Sequence, residues 1–185
     1  MNTTYNYCFD IYLDYMARKK VVKQANKDLR YLQNMTIEAV PLDDNNIRVD
    51  GTLKDPDHHI EVYIVVAIRK REIIDVGARM LRQPYRTCNL AMKRAHGLIG
   101  MKIKPGLYQK LTIVVGGPSG CVHLVDILMA ACKLAANAII GVVVGKKTWD
   151  DITDRDEEFH GRLMKAQEGM CIGFNKTAIS RRKRT

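Results

Sequence analysis

The chain has 185 residues, enough for one domain with its own core, and its 46% hydrophobic content excludes a disordered chain. Its net charge of +10 is segmental: residues 69–110 carry eleven Lys/Arg against Glu72 and Asp75, whereas residues 36–68 carry two against seven acids. Such a surplus reads either as a solvated face or as a docking surface for an anionic partner, nucleic acid or acidic protein, at residues 69–110 and the basic tail.

Residues 8–34 read as a helix, the unit of an N-terminal region 1–35. Ile11, Tyr15, Val22, Ala25, Leu29 and Leu32 recur at helical spacing, and Asn34 is the expected stop. The period then becomes two. A first strand is expected over residues 36–42, before the turn Asp43-Asp44-Asn45-Asn46. Ile47, Val49, Gly51 and Leu53 alternate with polar residues in a second strand. Asp55-Pro56-Asp57 turns the chain, and Ile60, Val62, Ile64, Val66 and Ile68 share one face of a third. After Lys70-Arg71, Ile74, Val76, Ala78 and Met80 alternate in a fourth. Short turns between successive strands imply an antiparallel meander of three or four strands.

Beyond Pro84 the period is helical again. Cys88, Ala91, Met92, Ala95, Leu98 and Ile99 fall on one face, and Gly97 and Gly100 end the segment. Residues 106–115 fit a short helix or a strand. A long apolar helix is expected from Ser119, as N-cap, to Ile140. It is nearly long enough to span a bilayer. Asp126, Lys133 and Asn137 nevertheless form a polar stripe along it, so the better account is a core helix with one wet edge and no membrane. A last helix is expected from Thr153 or Asp154 to Glu168, then a basic tail over 171–185. The fold class is therefore α+β, with residues 36–170 as a single domain and the sheet covered on one face by helices.

Five cysteines, Cys8, Cys88, Cys121, Cys132 and Cys171, include no CxxC pair, which excludes a zinc ribbon and a thioredoxin motif. The first residues carry Asp10 and Asp14 and no basic start, so a signal peptide is not expected. A reducing, cytoplasmic setting with free thiols is.

The densest chemistry lies in Gly116-Gly117-Pro118-Ser119-Gly120-Cys121-Val122-His123, a glycine-rich turn opening onto the long helix. A helix N-terminus favours thiolate, the form that binds metals and attacks electrophiles. Cys121 and His123 are therefore the expected reactive pair, as catalytic groups or as metal ligands. Cys88 and Cys171 are candidate further ligands. Cys132, about 16 Å along the helix from Cys121, belongs to the core. Gly117, Ser119 and Gly120 could hold an anion through backbone N–H groups, although no Walker or GxGxxG pattern is present. His58-His59 after the Asp55 turn reads chiefly as solvated, with cation binding as the other reading.

From Ile47 to Cys171 the chain resembles an uncharacterised bacterial family of unknown function. The likeness rests on Gly51-Thr52-Leu53-Lys54-Asp55 with His59, Pro84-Tyr85-Arg86-Thr87-Cys88, Gly97-Leu98-Ile99-Gly100 and Gly120-Cys121-Val122-His123-Leu124, where the family's usual form has Thr in place of Val122. It groups Cys88, Cys121, His123 and Cys171. More distantly, the meander, Gly100-Met101-Lys102 and Cys121 before an alanine-rich helix resemble the SufE/NifU-like fold of iron–sulfur scaffold proteins. That likeness implies a metal- or iron–sulfur-binding, sulfur-handling protein that takes Zn, Fe or an iron–sulfur species. The alternatives are a binding module for an anionic partner and an enzyme for a phosphate- or CoA-bearing ligand. An oligomer is compatible with all three.

Overall fold

A computed structural model describes residues 30–143 together with 161, 162, 164, 165 and 167–169. Four strands form one antiparallel sheet in the order β1-β2-β3-β4: β1 Asn34–Pro41, β2 Asn46–Lys54, β3 His59–Ala67 and β4 Glu72–Arg82. This is the expected meander. The N-terminal helix expected over 8–34 falls mostly outside the described residues. Residues 30–33 carry no regular structure, and Asn34, the expected helix stop, opens β1.

Each turn follows from its residues. Asp43 accepts from the Asn45 N–H at 2.7 Å and from the Asn46 side chain, closing the β1–β2 turn. The β3–β4 turn carries Arg71 in the left-handed region, at φ 53°.

One sheet face is the core. Ile47, Val49, Leu53, Ile60, Ile64 and Val66 are fully buried, as the period-two pattern requires. β4 departs from it. The ladder skips Ile74 between the pairs Val65–Asp75 and Val66–Ile73, and skips Leu81 between His59–Arg82 and Ile60–Met80. A bulge inserts one residue and inverts the facing of everything beyond it. Ile73 therefore takes the core position that alternation gives to Ile74, and Ile74 is exposed.

The helical layer covers this face. Residues 86–98 form a 3-10 turn (Arg86–Cys88), a single α turn α1 (Asn89–Met92) and a second 3-10 stretch (Lys93–Leu98), rather than one regular helix. Ala91, Met92, Ala95 and Leu98 are buried as expected, whereas Ile99 is exposed. Residues 106–115 resolve to helix α2, Leu107–Val115. Helix α3, Val122–Val143, crosses β1, β2 and β3. Gly51 lets it approach: a Cβ there would lie 3.0 Å from Val62 Cγ2 and 3.2 Å from Ile127 Cγ1. The helix is long and apolar enough to cross a membrane by length and composition, with mean hydropathy 1.8, but half of that span is buried in the fold. Asp126, Lys133 and Asn137 are all exposed, as the polar stripe predicts. Gly161, Arg162, Met164 and Lys165 are helical within the last expected helix; the tail 171–185 and Cys171 lie outside the described residues.

Candidate functional site

Helix α3 begins later than expected. Cys121, not Ser119, is its N-cap: the Cys121 carbonyl accepts the first helical bond from the Val125 N–H at 3.1 Å. Because Cys121 stands just outside the helix, it comes to 3.9 Å from the His123 Nδ1. Residues two apart within a regular helix would diverge.

The thiolate expectation is reversed in direction. Burial pushes the Cys121 thiol above its ordinary range, against the Leu124 and His123 N–H groups that pull it down; Cys88 and Asp126 push the same way as burial. The helix N-terminus acts as expected, but desolvation outweighs it.

Part of the glycine turn's backbone is engaged within the fold. Gly120 N–H donates to the Gly117 carbonyl at 3.0 Å and Cys121 N–H to the Val115 carbonyl at 2.8 Å, so neither is available to a ligand. Gly120 answers a packing need instead: a Cβ there would sit 2.1 Å from the Val115 carbonyl oxygen. Gly117 supplies a positive φ of 68°, and Ser119 is exposed on the turn.

The residues that converge with His123 come from the β2–β3 hairpin. Asp55 is 7% exposed, not solvated. Its Oδ1 accepts from the N–H groups of Asp57 at 2.8 Å and His58 at 2.7 Å, which fixes the turn. Arg82 donates to the Asp55 and His58 carbonyls and ties the turn to β4. His58 Nδ1 lies 3.0 Å from Oδ1 and 3.1 Å from Oδ2. The second oxygen also accepts from the Gln33 side chain at 3.5 Å, and His123 Nε2 of α3 stands 3.9 Å from it. The His58 and His123 rings lie against each other with centroids 4.0 Å apart and planes tilted by 36°. Asp55, His58 and His123 each offer a ligand atom within 4.8 Å of the others, the one such group of three among the described residues. His59 stays out of it, with Nε2 3.5 Å from Glu61.

The electrostatics suit ligation. Burial raises the Asp55 pKa, but the Asp57 and His58 N–H groups and the His58 ring more than offset it, and the net shift is downward. Burial, then the neighbouring His58, holds His123 below its ordinary range and so neutral. A neutral imidazole and an ionised carboxylate are the forms that take a metal.

Of the expected ligands, the structure thus brings His123 to the centre and places Cys121 beside it on the opposite ring nitrogen. Cys88, half-buried against the core as N-cap of α1, is not part of the converging group. Cys132 is a buried core thiol, pushed up to about 12. By sequence the Asp55–His59 run reads chiefly as a solvated turn. Its signal was an Asp three residues before His58, and only the packing of the hairpin on α3 reveals the rest.

No curated protein and no solved structure matches the chain. A model of the family described as "protein of unknown function (DUF2889)" matches residues 31–137, which hold the whole sheet, the converging residues and most of α3, and the chain belongs to that family.

Proposed function

We propose that this protein binds one transition-metal ion, Zn or Fe, through Asp55, His58 and His123. The observation that carries the reading is the convergence of a buried carboxylate and two imidazoles from elements far apart in sequence. A tetrahedral ion with bonds of about 2.1 Å sets its ligand atoms about 3.4 Å apart. The 3.1 Å and 3.9 Å separations from Asp55 Oδ2 bracket that spacing. Two histidines and one carboxylate form a donor set that suits non-haem Fe(II) and open Zn sites, and three protein ligands leave a position for water or substrate. His58 would hold an ion through Nδ1 only with that nitrogen free of its proton, in the tautomer protonated at Nε2. Cys121, on the far nitrogen of His123, orients that ring so that Nε2 faces Asp55.

An iron–sulfur cluster asks for several thiolates, and the converging donors are nitrogen and oxygen, which favours a mononuclear ion. A second reading uses the same line of atoms without a metal. Cys121 Sγ, His123 and Asp55 follow one another at 3.9 Å and 3.9 Å, the order of a thiol, its base and an orienting acid. The raised thiol pKa favours the metal reading over this one.

The test is anaerobic purification and metal analysis of the wild type and of Asp55→Ala, His58→Ala, His123→Ala and Cys121→Ala, followed by Co(II) substitution. One ion per chain, lost in the first three variants and kept in Cys121→Ala, is expected. A metal-free wild type that also refuses added Zn and Fe(II), or an ion retained in His123→Ala, overturns the reading. A sulfur-to-cobalt charge-transfer band that Cys121→Ala abolishes would move Cys121 into the ligand set.

A further inference from the structure

A second constellation lies apart from the metal residues, inside the basic segment. A cavity of about 370 Å³ opens between the loop after Leu98 and the start of α2. Met101, Pro105 and Leu107 give it apolar lining, and Lys102, Lys104 and Lys110 line it too, with no acidic residue among them. The three ammonium groups have no ion-pair partner among the described residues. Glu72, which faces Lys102 across an isolated bridge, makes none with it.

The loop that carries these lysines is held in place. Gly100 N–H donates to the Ile73 carbonyl at 2.8 Å, Ile73 N–H to the Met101 carbonyl at 2.9 Å, and Ile103 N–H to the Arg71 carbonyl at 2.7 Å. The last bond brings the Arg69-Lys70-Arg71 turn alongside and adds its positive field. Helix α2 also starts there, from Gly106 at φ 86° with no side-chain cap.

A pinned cavity with apolar lining and uncompensated cations has the volume and character of a small-molecule site. Three unpaired ammonium groups lining one cavity match a dianionic head group better than a single carboxylate. We infer that this cavity binds a phosphorylated small molecule, with the phosphate on Lys102, Lys104 and Lys110 and an apolar or ring portion on Met101, Pro105 and Leu107. This site does not depend on the metal reading.

The experiment titrates the full chain with phenyl phosphate and with inorganic phosphate by calorimetry and by amide chemical shifts, at fixed ionic strength. Saturable one-to-one binding is expected, tighter for phenyl phosphate, with shifts confined to residues 100–110. Lys104→Ala/Lys110→Ala should weaken it at least tenfold, whereas Lys93→Ala/Lys133→Ala, which removes the same charge from exposed lysines elsewhere, leaves it unchanged. All four side chains are exposed, so both variants fold. Equal loss in both pairs reduces the effect to diffuse attraction by the net charge and overturns the inference, as does uptake that never saturates. Loss of binding in His123→Ala would place the phosphate on the metal centre and overturn it too.

Discussion

Asp55→Ala tests the hairpin on which the candidate site depends. The wild-type carboxylate accepts two backbone N–H bonds, from Asp57 and His58, and the His58 ring bond at 3.0 Å. Hydrogen bonds to an ionised group contribute about 1.5–3 kcal/mol each, and an orphaned buried donor costs about 1–3 kcal/mol. Pro56 and Asp57 are exposed, so water recovers part of the loss. The expected net cost is about 3 kcal/mol, or roughly a 10 °C fall in Tm for a domain of this size. Asp55→Asn keeps one oxygen for the backbone donors and loses the charge and the second acceptor, so it should cost less, about 1–2 kcal/mol. The assay is urea unfolding with chelator present, which separates hairpin stability from metal linkage. A cost for Asp55→Ala below about 1 kcal/mol, or equal costs for the two variants, would refute the account of Asp55 as the hairpin's acceptor.

The metal-free protein should weaken in acid in two windows. The depressed His123 pKa means that unfolding takes up a proton, so stability falls as pH drops below 6.5 and through the folded value. The Asp55 contribution is complete above 3.8 and is lost as pH falls through its lower folded pKa; His123→Gln should erase the first window and Asp55→Asn the second, by denaturant midpoints against pH. Alkylation of Cys121 should be slow at neutral pH, with a pH–rate midpoint above the ordinary 9.0, and Cys132 should react only on unfolding; a neutral-pH midpoint for Cys121 would mean that burial does not control it. Gly120→Ala should destabilise by about 2–3 kcal/mol, because the added Cβ meets the Val115 carbonyl, and circular dichroism melts would read the change. Leu128→Ala, fully buried on α3, should cost about 3 kcal/mol by the same melts.

Local pattern was enough for much of the fold. The alternation at Ile47–Leu53 and Ile60–Ile68, with turn residues between, gave the meander and its buried face, because side-chain facing in a strand follows from parity alone. The spacing of Asp126, Lys133 and Asn137 identified the wet edge of α3 for the equivalent reason in a helix. Cys121 and His123 were legible as a pair from the turn before them. Parity failed at Ile73 and Ile74, where a bulge depends on the pairing of β3 with β4 and leaves no mark on either strand alone. The thiol's direction of shift also needed the tertiary structure, since the helix terminus is local but burial is contributed by the surrounding chain. Above all, Asp55 and His58 stand more than sixty positions from His123. Their sequence describes a solvated turn. Packing of the hairpin against the start of α3 takes Asp55 out of water, while Pro56 and Asp57 stay exposed, and brings three polar residues from separate elements together.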